Sequence, residues 1–148
     1  MKINNILLVL GALLCTYCEN KSEWTYMEQK FAGTDLVSAK YWLRFGKKDS
    51  IMTTFDRNGR MVGQMHFKND VQEGKSTFFF PDGQLKEVQF LHNGKREGLI
   101  VSYHPNGQKA LESEYQNDKL NGKFRKWTPE GNLLIEALFV NDSIQSKK

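Results

Sequence analysis

Beyond its first eighteen residues the chain has no cysteine; Cys15 and Cys18 are its only two in 148 residues. The rest of the chain therefore lacks a disulfide, a thiol nucleophile and any cysteine-based metal site. Packing and backbone ladders must hold it together. Histidine is scarce as well. His66, His92 and His104 share no spacing, whereas a metal site needs two or three converging ligands, so no metal is expected. The net charge is only +4 and no long basic block stands out. That argues against nucleic acid, whose binders carry a localised basic footprint. No stretch between the turn residues has helical periodicity of useful length. The apolar run Ile6–Leu14 is far below the ~20 residues of a membrane-spanning helix.

That run has another reading. Lys2 precedes it, Cys15 and Cys18 end it, and polar residues begin at Glu19. A charged start with a short apolar stretch is the form of a secretory signal, so residues 1–18 are expected to direct export. Two versions stay open. Either the segment is cleaved near Cys18, or a cysteine is acylated as in a bacterial lipoprotein. For acylation Cys18 precedes the polar segment directly, and Cys15 is the alternative. Such signals usually carry a small residue before the cysteine; here Tyr17 and Leu14 stand there. Both versions place the protein at the cell envelope or outside it.

What the chain has in quantity is repetition. Gly59, Gly83, Gly107 and Gly131 are spaced by 24 residues. Pro81, Pro105 and Pro129 keep the period, two residues ahead of the last three of these glycines. Asn69, Asn93, Asn117 and Asn141 keep it too, as do Gly74, Gly98 and Gly122. A fixed period in this range marks a repeat architecture, read one unit at a time. In the unit Gly98–Asn121, β-formers at Ile100, Val101 and Tyr103 lead into Pro105-Asn106-Gly107, which is hairpin chemistry. A second strand over Lys109–Gln116 ends at Asn117-Asp118. The spacing predicts strand, tight turn, strand, tight turn. The fold class is all-β: a single-layer antiparallel sheet of successive hairpins, about four units over residues 50–145.

With strands ~4.8 Å apart, residues one period apart stand in columns. Phe55, Phe79, Tyr103 and Trp127 should form one, and Phe67, Leu91, Tyr115 and Phe139 another. Alternation assigns the dry face to odd positions: Leu133, Ile135, Ala137 and Phe139 in the last unit, Met61, Met65 and Phe67 in the first. The second unit departs, with Glu87 and Gln89 odd and Val88 and Phe90 even. A bulge between Leu85 and Leu91 is expected to restore the apolar side. Residues 19–49 read as an irregular cap or a degenerate repeat, with a strand at Tyr41–Phe45 and a Gly46-Lys47 turn. Ser22–Lys30 admits a short helix. Residues 146–148 read as a frayed tail.

The Pro-Asn-Gly or Pro-Asp-Gly turn, the Glu/Lys-rich strand after it and the Asn-Gly or Asn-Asp turn before a glycine resemble the MORN repeat. They are closest to the variant in bacterial YwqK-like proteins, many of them labelled antitoxins. The resemblance covers about Ser50 to Gln145. It implies a MORN-like solenoid that binds or scaffolds, in some cases at membranes, without shared catalytic residues.

The residues themselves offer no reaction centre. Glu112 and Glu114 lie on one face of a strand and Glu136 falls 24 residues after Glu112, but such carboxylates need a pocket that separates their pKa values before they can do acid–base work. Ser76, Ser102 and Ser113 lack a base partner or nucleophile elbow. The glycines open hairpins, not phosphate-binding helices, so no cofactor is implied. The expected activity is non-catalytic binding of a protein or peptide, with Tyr103, Tyr115 and Trp127 lining an open groove. Neutralisation of a toxin is the alternative. A further one is attachment to anionic membranes through Lys119, Lys123, Arg125 and Lys126.

Overall fold

The structure, a computed structural model, describes residues 23–147. Its strands are β1 Trp24–Lys30, β2 Val37–Arg44, β3 Lys47–Lys48, β4 Ser50–Phe55, β5 Met61–Lys68, β6 Val71–Phe79 and β7 Leu85–His92. They continue as β8 Lys95–Arg96, β9 Gly98–Tyr103, β10 Lys109–Gln116, β11 Lys119–Trp127, β12 Leu133–Val140 and β13 Ser143–Lys147. All join one 13-stranded antiparallel sheet in which strand order follows chain order. The short β3 and β8 are detached beginnings of β4 and β9; the corresponding β6 and β11 run unbroken. The all-β hairpin sheet read from the sequence is the observed fold.

Two kinds of turn alternate. Asn69-Asp70, Asn93-Gly94, Asn117-Asp118 and Asn141-Asp142 each hold both residues at positive φ, between 48° and 77°. That is the type I′ geometry whose twist matches paired strands. Phe45-Gly46, at φ 49° and 79°, makes the same turn one period earlier. The expected Gly46-Lys47 turn therefore lies one residue further back. The other kind closes through Asp56 N to Arg60 O, repeated at Phe80 to Gln84, His104 to Gln108 and Thr128 to Asn132, all within 2.9 Å. The turn glycines Gly59, Gly83, Gly107 and Gly131 sit there at φ 75–88°, where an L side chain would be strained.

The asparagine turns also clamp unit to unit. Asp70 N donates to Lys48 O, Gly94 N to Gln72 O, Asp118 N to Arg96 O and Asp142 N to Leu120 O. Asp70, Asp118 and Asp142 accept in return from the backbone N of Lys48, Arg96 and Leu120 at 2.7–2.9 Å. Glu73 and Glu97 take the backbone N of Asn93 and Asn117.

Register separates two faces, because directly paired residues share a side of the sheet. One row runs Ala39–Thr54–Gly63–Phe78–Glu87–Ser102–Leu111–Lys126–Ile135. A parallel row on that side holds Met52–Met65–Ser76–Gln89 and Ile100–Ser113–Phe124–Ala137. Ala39, Gly63, Ser76, Ile100, Ser113 and Ala137, the fully buried residues among those described, all lie here. This is the packed face. Small side chains at its centre let larger neighbours close over them: Phe78 approaches Gly63, and Phe124 meets Phe139 edge-on at 5.7 Å. The column Phe67, Leu91, Tyr115 and Phe139 lies on this side, half-buried.

The sequence reading needs three corrections. First, the bulge expected between Leu85 and Leu91 is present, at Lys86, but it does not restore the apolar side and is not particular to the second unit. Val62, Lys86, Ala110 and Leu134 are each the extra residue of a bulge that recurs in every unit. Pairing from Glu87 to Leu91 is regular, so Glu87 and Gln89 stay on the packed face, half-buried. Second, Ser22–Lys30 supplies no helix among the described residues: Trp24–Lys30 is strand β1, paired to β2 through alternating side chains. Third, strand β13 extends through Ser146 and Lys147. They pair with Leu138 and Ala137. The segment 1–18, with Cys15 and Cys18, lies outside the described residues.

Candidate partner-binding face

The opposite face carries a row of charges and small polar or branched residues, Lys40–Thr53–Gln64–Thr77–Val88–Val101–Glu112–Arg125–Glu136. At its C-terminal end this row is ion-paired. Arg125 Nε donates to Glu136 at 2.7 Å, Arg125 also reaches Glu112 at 3.9 Å, and Lys109 pairs with Glu112. Glu136, ahead of Glu112, holds the Arg125 pKa above its ordinary value. Glu112 and Glu136 thus neutralise Arg125 across strands, whereas Glu114 accepts the Lys123 backbone N–H at 3.2 Å.

Beside it runs a second row, hairpin by hairpin: Tyr26–Trp42, Ile51–His66, Lys75–Phe90, Leu99–Glu114 and Lys123–Leu138. Its large apolar members are 41–45% exposed. Single exposed apolar residues are ordinary on a soluble surface, whereas an aligned set marks an interaction surface. The set arises from the repeat itself, since positions 42, 66, 90, 114 and 138 are one period apart.

The row is richest at its N-terminal end. Tyr26 packs on Trp42 with ring centroids 5.2 Å apart. The Arg44 guanidinium lies 5.5 Å from the Trp24 ring and 5.6 Å from Phe45, and pairs with Glu23. Tyr26 Oη donates to Glu28 Oε1 at 2.9 Å, and Lys40 approaches the same oxygen at 3.4 Å. The Tyr26 hydrogen bond, then Lys40, lowers the Glu28 pKa; desolvation, then Glu28, raises that of Tyr26. Strand alternation points Trp24, Tyr26 and Glu28 to one side, and β2 sets Arg44, Trp42 and Lys40 opposite them.

The structure does not gather Tyr103, Tyr115 and Trp127 into one groove. All three are half-buried. Tyr103 and Trp127 pair with Lys109 and Leu133 at the turn end of the open face, in the column with Phe55 and Phe79. Tyr115 lies on the packed face under the Arg96 guanidinium, 4.1 Å from its ring. The exposed row was not singled out in the sequence. The signal was partial: Trp24 and Tyr26 stand two apart across Thr25, as strand neighbours on one face do, but Trp42 sits between Tyr41 and Leu43 with no alternation to mark it. His104 Nε2 lies 2.9 Å from Trp127 O, and His92 Nδ1 2.8 Å from Glu73. No group of three or more His, Cys, Asp or Glu is placed to hold a metal among the described residues.

The family model for the MORN repeat variant matches residues 48–69, 72–95, 96–117 and 120–141, more than half of the chain. Each match covers one hairpin unit of the sheet, and the chain belongs to this family. Members of this family are commonly non-catalytic binding modules, so its class is that of a repeat scaffold. The match defines the repeat and does not extend to the YwqK-like subgroup. No curated protein matches the chain.

Proposed function

We propose that the chain is a non-catalytic binding module, exported to the cell envelope, that takes a polypeptide partner on the open face of its sheet. The observation behind this reading is the aligned exposed row Tyr26, Trp42, Ile51, Phe90, Leu99 and Leu138. A surface rich in Trp and Tyr, with Arg44 among the rings, has the composition of interface hot spots. Tyr103 and Trp127 extend the same face toward its turn edge. Tyr115 stays on the other side. Export through residues 1–18 and acylation of Cys18 complete the proposal.

A photocrosslinker at Phe90 in the full chain tests the face. It should trap one defined partner, and Trp42→Ala or Leu99→Ser should abolish trapping without moving the denaturation midpoint. Trapping only from a packed-face position such as Ile100 would sink the assignment. Mass spectrometry tests the anchor. An acylated Cys18 is expected, with Cys18→Ser shifting the protein to the soluble fraction.

A further inference from the structure

A depression on the packed face, away from the surface just described, has chemistry that the repeat does not require. Val62, Phe78, Phe80, Lys86, Glu87 and Gln89 are among the residues that line an opening of about 510 Å³ at the second unit. It exists for reasons of sequence and register. Glu87 stands where the third and fourth units carry Leu111 and Ile135, and Gln89 where the first carries Met65. Gly63, opposite Phe78, lets that ring lie close against the sheet. A Cβ there would meet the Phe78 ring at 3.2 Å.

Glu87 and Gln89 are half-buried on the packed face, and neither side chain has a hydrogen bond or ion pair with any described residue. Lys86 lines the same opening, but its Nζ lies over the Phe80 ring, 5.9 Å from the centroid, and makes no ion pair with Glu87. The Glu87 carboxylate and the Gln89 carboxamide therefore keep acceptor oxygens open to a ligand. The same sheet shows how such a set is completed. The Arg96 guanidinium lies 4.1 Å from the Tyr115 ring while its Nε donates to Asp118 at 3.0 Å. Ring, carboxylate and guanidinium meet there. In the second unit the chain brings rings, a carboxylate and a carboxamide together, and none of its described residues contributes the guanidinium.

We propose that this depression binds an organic cation, a guanidinium on a short apolar stem. Glu87 accepts two of its N–H donors in the forked geometry that carboxylates offer guanidinium groups. The Gln89 amide oxygen accepts another. Val62, Phe78 and Phe80 cover the stem. The volume lies within the ~300–1,000 Å³ range of small-ligand sites. A free guanidinium compound and an arginine side chain of a bound polypeptide share this chemistry.

Titration of the ¹⁵N-labelled full chain with propylguanidine, and separately with the tripeptide Gly-Arg-Gly, tests it. Saturable shifts are expected at the Glu87 and Phe78 amides and at the Gln89 side-chain amide, and none with neutral propylurea. Glu87→Gln should weaken binding about tenfold, equal to ~1.4 kcal/mol. Glu87→Leu, which installs the third unit's residue, should keep the fold and lose binding. Tighter binding of the tripeptide assigns the cation to a polypeptide, and equal binding assigns it to a free compound; both uphold the site. No saturable shift with either probe, or unchanged affinity in Glu87→Gln, overturns it.

Discussion

The same strands build both faces of the sheet, yet the faces obey different rules. On the packed face the side chains at the centre are small, and every fully buried residue among those described lies there. On the open face nothing is fully buried, and large apolar side chains are left about two-fifths exposed. A single-layer sheet cannot cover both sides with its own residues, so it concentrates packing on one. The other side is free to vary in sequence without loss of fold. Units one period apart accordingly carry Trp42, His66, Phe90, Glu114 and Leu138 at one open-face position.

The contrast breaks first at Gly63. A Cβ there would lie 2.7 Å from Thr54 Oγ1 and 3.2 Å from the Phe78 ring. Gly63→Leu should cost more than ~3 kcal/mol by urea denaturation, as an overpacked buried site. Leu99→Ser, on the open face, should stay within about 0.5 kcal/mol. Equal losses would erase the distinction between faces. Next comes Gly122, at φ 132°, whose added Cβ would meet Glu114 Cβ at 2.8 Å. Gly122→Ala should lose about 2 kcal/mol, from strain at an unfavourable backbone angle together with that contact.

A smaller effect of opposite sign is expected at Ser50. It holds φ 89° where the later units place Gly74, Gly98 and Gly122. Ser50→Gly should raise stability by about 1 kcal/mol by relieving this strain. An unchanged denaturation midpoint would show that the first unit tolerates the conformation at no cost.

The smallest effect concerns pH and the clamps that join both faces at the turn edge. The Asn93 backbone hydrogen bond, then His92, holds the Glu73 carboxyl below its usual range. The Arg96 backbone N–H, then its side chain, does the same for Asp118. Depressed folded-state values mean that this stabilisation is present above the unfolded carboxylate values of about 4 and is lost as pH falls through the lower folded ones. The urea midpoint should be flat from pH 7 to about 5 and fall below about 4. Asp118→Asn, which keeps an acceptor and tolerates φ 70°, should make that fall shallower.

Much of this plan was legible in the sequence because turns have local chemistry. Asn-Asp and Asn-Gly pairs, and glycines at a fixed period, locate each hairpin without knowledge of the whole. Faces were harder to read, because strict alternation assumes unbroken strands. The extra residues at Val62, Lys86, Ala110 and Leu134 reset the alternation after every turn. A second irregularity lies between β5 and β6, where Met65 and Phe67 face Ser76 and Gln72, and it recurs between β10 and β11. Glu87 therefore looked out of place when it was in step. Strand β1 escaped notice because its residues lack the turn markers of the period. Its aromatic side chains face the open side, where the repeat imposes no residue type.

Strand order that follows chain order has a mechanical consequence. Each strand of this sheet meets only its neighbours along the chain, so no seam ties one end to the other. Load applied across the two ends would fall on the outermost pairing first. The chain would then pay out one hairpin of about 24 residues at a time. Each step is resisted by the clamp between successive asparagine turns, and weakest where Gly94 stands in place of the aspartate.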